Sequence, residues 1–258
     1  MKRVLAIPIH SKYMICVWES GKQVYSHALC IVAIENDAGF ALLHSTFHEQ
    51  WVRLRSSSLG ETLRYTPSKC FDTFPFPQST ANLDDIGSNY NTHRSSITQT
   101  RREGLTTIYN RFHDPLEEAA DIVRLRELHR EMDEAVARAY GWNDLRLDHG
   151  FHETKQGLRY TISEEARREV LDRLLLLNHQ RHAEEVAAGL FEQKGGKKSV
   201  KSANGKQGAK ATQGKQVLAT GHTSERGGNG TQRNGQNGGN VEDKENNIIE
   251  GMAQDSLF

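Results

Sequence analysis

From Lys194 onward the chain has almost nothing with which to build a core. That stretch holds 13 of the 22 glycines, and Phe258 is its only aromatic residue. So little apolar surface cannot offset the entropy of ordering a backbone. Residues 194–258, rich in Gly, Asn, Gln and Lys and carrying a net charge of +4, therefore read as a disordered low-complexity tail. Folding is confined to about residues 1–193, enough for one or two small domains.

Charge excludes little at the scale of the whole chain, because 33 basic and 33 acidic residues cancel. Its distribution says more. Residues 1–79 carry a net +2 and residues 80–193 a net −6. The lack of any apolar run of roughly 18 residues argues against a membrane-spanning helix. The N-terminal MKRVLAIPIH lacks a signal-peptide core and cleavage site. Cys16, Cys30 and Cys70 form no CxxC pair, which fits a reducing cytoplasm better than a disulfide framework or zinc site.

Periodicity predicts an α+β fold, with a small mixed β-sheet and a packed helix in residues 1–79, then a helical domain over 80–193. RVLAIPIH, YMICVWE and ALCIVAIE read as strands, with Ser20-Gly21-Lys22 as a hairpin turn into KQVYSHA. Phe40, Leu43, Phe47, Trp51 and Leu54 recur at helical spacing, predicting one helix over about 38–55, with Asp37 as its cap or first-turn acid. The prolines of ETLRYTPSKCFDTFPFP predict an extended path, with Tyr65 packed beneath it as an aromatic anchor. Helices are expected at about 82–102, 118–140 and 164–190, with Gly141 and Ser163 as caps. FHETKQGLRYTI between the last two reads as a loop and short hairpin.

Catalytic signatures are missing. The sequence has no glycine-rich phosphate cradle, no GxSxG, no nuclease-type acidic cluster and no Asn-Pro-Pro-aromatic element for gripping a target amine. His44 and His48 stand four apart on the predicted helix beside Glu49. Without a third ligand they read as a partly exposed flank rather than a metal site. His149, His152, His179 and His182 read as loop and surface residues, and Cys70 as a small buried hydrophobe.

Several segments together carry a resemblance. SLGETLRYTPSKCFDTFPFP resembles the end of the target-recognition domain of MmeI-like adenine-specific DNA methyltransferases, which are fused restriction–modification enzymes. RVLAIPIHSKYMICVW and DAGFALLHSTFHEQWVR resemble earlier parts of that domain. GLTTIYNRFHDP, IVRLRELHREMDEAVARAYGW and the segment from HGFHETKQGLRYTI to HQRHAEEV resemble the family's C-terminal helical domain. The resemblance covers about residues 2–193. It implies double-stranded DNA as partner and N6-adenine methylation with S-adenosylmethionine. The family's catalytic core has no counterpart here, so no cofactor is expected in this chain. The expectation is a specificity piece, split off or left by a broken gene, that works with a methyltransferase core on another chain. The alternative is a non-enzymatic protein whose acidic helices dock such a subunit.

On this reading DNA meets residues 1–79, where candidate contacts are Arg3, His10, Lys12, Lys22, Arg53, Arg55, Arg64 and Lys69. His10-Ser11-Lys12-Tyr13 interrupts two apolar runs and is placed as a strand-end loop. The terminal Gln254-Asp255-Ser256-Leu257-Phe258 resembles peptides that dock on the DNA-polymerase sliding clamp, with Gln254, Leu257 and Phe258 as anchors. Asp255 departs from that pattern, which favours an aliphatic residue.

Overall fold

A computed structural model describes residues 1–56, 58–59 and 62–190, with only the backbone of Ser58 and Leu59. The C-terminal tail and the Gln254–Phe258 motif lie outside the described residues. The class is α+β, as expected.

Strand β1 (Arg3–Pro8) is the centre of the first sheet. β3 (Val17–Ser20) and β4 (Leu29–Val32) flank it in the order β3-β1-β4. Both pairings are antiparallel, Leu5 facing Trp18 on one side and Val32 on the other. A second small sheet joins β2 (His10–Ser11), β6 (Thr62–Arg64) and β5 (Ser58–Leu59). All pairings among the described strands are antiparallel, where a mixed sheet was expected. The expected hairpin at Ser20-Gly21-Lys22 is replaced by a return beside β1, and Gly21 N–H donates to Lys2 O. KQVYSHA forms no strand. Its Val24 is fully exposed, so the segment has no apolar face to bury.

The predicted helix over 38–55 is two helices, α1 (Asp37–His44) and α2 (Thr46–Arg55). Ser45 breaks them with extended backbone (ψ 157°), and its Oγ caps α2 by accepting from His48 N–H. Asn36 caps α1, leaving Asp37 as the first-turn acid. The stripe survives the break, because Phe40, Leu43, Phe47 and Trp51 are fully buried. Leu54 is exposed. α3 (Pro67–Cys70) is a single turn inside the segment expected to be extended. Proline suits its first position, where an N–H would lack a partner anyway.

α4 (Asp84–Arg101), α6 (Ala120–Ala139) and α7 (Glu164–Ala187) are the three expected helices. α5 (Leu105–Phe112) was not foreseen. Gly141 ends the α6 region at φ +77°, and Ser163 Oγ caps α7 by accepting from Ala166 N–H. β7 (Gly150–Thr154) and β8 (Gly157–Thr161) form the foreseen hairpin.

One core crosses the compositional change at residue 80. Phe40 of α1 stacks toward Trp18 of β3 and toward Tyr90 of α4. α4 lies so close to α1 that a Cβ on Gly87 would sit 2.1 Å from Asp37 O. Further along, the loop between α5 and α6 is tied to a buried arginine. Arg126 donates to the main-chain oxygens of Arg111, Phe112, Asp114 and Glu117 at 2.7–3.0 Å.

Candidate nucleic-acid interface

The structure separates the sequence candidates into groups. His10 and Arg64 face each other across the β2–β6 pairing, and both are exposed. Lys12 follows at once and its Nζ donates to Asn110 Oδ1 at 3.3 Å. Arg3 sits at the opposite end of β1, roughly 20 Å away at ordinary strand rise. It is also engaged locally, since it donates to Glu35 O, pairs with Asp37 Oδ2 at 3.0 Å and covers the Trp18 ring. Lys22 belongs to that same end. Arg53 pairs with Glu49 on its own helix, Arg55 lies over Trp51, and Lys69 is exposed on α3.

Tyr13 joins the β2 group to the rest of the molecule. Its hydroxyl donates to Asn110 Oδ1 at 2.6 Å and accepts from Arg159 Nη1 of β8 at 3.1 Å. Its ring stacks with His113 at 5.2 Å and carries both Lys12 and Arg159 over its face. Beside it opens a cleft of about 750 Å³. Tyr13, Arg53 and Leu63 contribute from the first part of the chain, and Arg159, Tyr160 and Arg167 from the second. The sequence gives no sign that Lys155, Arg159 and Arg167 belong to this site. Their positive charges lie inside a segment whose overall balance is acidic, and only the fold carries them to Tyr13.

Electrostatics along the cleft are uneven. Burial, then the Arg159 charge, hold the His113 imidazole well below its usual pKa. Burial also lowers the pKa of Arg167. Its Nη2 donates to Glu153 O at 3.0 Å, while its Nη1 is buried with no hydrogen-bond partner.

His44, His48 and His149, expected on a helix flank or a loop surface, are core residues instead, whereas His179 and His182 are exposed as expected. His44 Nδ1 accepts from Cys16 N–H, so its Nε2–H donates to Tyr109 Oη at 2.7 Å. His48 Nε2 bonds Tyr65 Oη at 3.1 Å, and Tyr65 is the buried anchor expected. Burial lowers the His48 pKa to about 3 and puts His44 well below its usual value, with Arg94 adding to the latter. His149, expected on a loop surface, is buried, and its Nε2 meets Asp133 Oδ2 at 2.9 Å. Burial alone would raise the Asp133 pKa. The neighbouring His129 and His149 and the hydrogen bonds from His149 and Thr46 N–H hold it low. Among the described residues no group of three His, Cys, Asp or Glu side chains is disposed to hold a metal ion. Burial pushes the thiol of Cys16 up to about 12 and that of Cys30 to about 11, and it raises Cys70 as well. The three are inert packing residues. No helix among the described residues is long and apolar enough to cross a membrane.

The first part of the chain is similar to a target-recognition module. Residues 3–78 match the family described as MmeI, target recognition domain, and the resemblance read in the sequence is borne out over that stretch. A solved structure of the Type IIL restriction–modification enzyme MmeI in complex with DNA is 20% identical over 70% of this chain, with a TM-score of 0.48. The chain spans 22% of that protein. No curated protein matches.

Proposed function

We propose that the protein recognises double-stranded DNA as the specificity part of a restriction–modification system. The observation that carries this reading is the match of residues 3–78 to a target recognition domain. The exposed His10–Arg64 pair, with Lys12 beside it, supports it by offering hydrogen-bond donors on a short antiparallel ribbon. Base edges are read by such groups while neighbouring cations hold phosphates. Arg55 and Lys69 add positive charge to this module, while Arg53 is offset by Glu49. Arg3 and Lys22 form a second, distant group.

The finer reading is that methyl transfer to adenine N6, from S-adenosylmethionine, belongs to a methyltransferase core outside these 258 residues. The setting would be cytoplasmic, beside the DNA. The terminal Gln254, Leu257 and Phe258 would tether the protein to the polymerase clamp. Docking of a partner subunit on the helical part is favoured by α7, whose Leu176 and Val186 are exposed, as is Leu190 just beyond it.

Duplex binding followed by fluorescence anisotropy across a salt series tests the central reading. The expected result is weak binding, about micromolar, that falls steeply as salt rises, because phosphate contacts release counterions. Arg64→Ala should weaken it further. No binding at low salt, or binding indifferent to salt, would refute the reading.

A further inference from the structure

The cleft is positively charged by construction. Five cations line it, Arg53, Lys155, Arg159, Arg167 and Arg168, against the carboxylates Glu49, Glu153 and Glu164. Arg53 is matched by Glu49 and Arg168 by Glu164. Lys155, Arg159 and Arg167 form no close ion pair with a carboxylate among the described residues; Glu164, Glu49 and Glu165 act on Arg167 only at longer range, and Glu153 offers it only its main-chain oxygen. The arrangement is also fixed in advance. Arg159 lies over the Tyr13 ring at 5.1 Å while donating to its hydroxyl. Arg167 is anchored through one nitrogen and leaves the other unpartnered, and Ser56 Oγ is likewise buried without a partner. Preplaced cations without a close ion-pair partner in a concave site stabilise an anion at little ordering cost.

We propose that the β7–β8 hairpin and the start of α7 form a second wall that grips the phosphodiester backbone of the same duplex that the β2–β6 ribbon reads. The inference rests on the DNA reading and extends it to residues of the acidic, helical part of the chain. Continuity favours a polyanion over a small anion. Lys12 and Arg159 lie over the same Tyr13 ring, so positive charge runs unbroken from the ribbon to the hairpin.

The test uses the full chain and duplex DNA, with affinity measured as a function of salt. Lys155→Glu changes an exposed turn residue and should leave the circular dichroism spectrum intact. It should lower affinity about tenfold and reduce the slope of log K against log salt by about one for each phosphate left without its cation. Arg159→Ala should act in the same direction, and Arg159→Lys should restore most of the affinity. Arg138→Glu, an equal charge change on an exposed residue outside the cleft, should have a much smaller effect. Unchanged affinity and slope in Lys155→Glu would overturn the proposal, as would equal losses in Lys155→Glu and Arg138→Glu. If Arg64→Ala weakens binding while the hairpin variants do not, the ribbon reading stands and the second wall falls. If the unaltered protein does not bind duplex at all, both fall.

Discussion

At the scale of single residues, the interior is held by neutral imidazoles and one ionised carboxylate. His44, His48 and His113 all have pKa values below the ordinary histidine value. An unfolded chain takes up protons at these positions as the pH falls through about 6.5, while the folded chain does not. Stability is therefore full above that pH and declines below it, for His48 until about pH 3. Each such group contributes up to about 1.4 kcal/mol per pH unit over its window. Melting temperature measured from pH 8 to pH 4 should fall steadily, and His48→Phe should flatten the curve. Asp133 adds to acid sensitivity at the lower end, because its depressed pKa means that stability is lost as its carboxylate protonates. Asp133→Ala removes the acceptor for Thr46 N–H and His149 and should cost about 3–5 kcal/mol, read as a lowered denaturation midpoint. None of this was legible in the sequence. A histidine at i, i+4 on a helix looks the same whether a tyrosine 65 residues away receives it or water does.

Elements were more legible than their joints. The spacing of Phe40, Leu43, Phe47 and Trp51 marks a buried face correctly, since burial imposes that period whether or not the helix is continuous. It hides the break, because Ser45 lies between two stretches that share the same core. Ser45→Ala removes the α2 cap and should cost about 1 kcal/mol in chemical denaturation. α5 leaves no clear mark in the sequence because eight residues give too few turns for a period to stand out. The closeness of α1 and α4 is set by Gly87, where an added Cβ meets main-chain Asp37 O rather than a yielding side chain. Gly87→Ala should push the helices apart and cost about 1–3 kcal/mol, despite the better helix propensity of alanine. A stabilised variant would show that α4 can slide freely.

Across the whole molecule, the change in charge at residue 80 does not coincide with a gap in packing. Tyr109 and Tyr90 close over His44, and Asp133 of α6 takes the Thr46 N–H at the start of α2. A fragment of residues 1–79 would leave these groups buried against nothing. It should give an NMR spectrum without dispersed amides, whereas the full chain should unfold in one calorimetric transition. The same closure explains why half of the cleft could not be read from the sequence. His10, Lys12 and Arg64 all lie inside the matched residues 3–78, while Arg159 reaches Tyr13 across 146 residues. The loop ahead of α6 illustrates a different economy. Arg126 touches only main-chain oxygens there, so its hold on the path does not depend on the exposed side chains of Asp114, Pro115 and Leu116. Homologous chains should be free to vary those three letters, and even their polarity, so long as a guanidinium remains to hold the loop's shape.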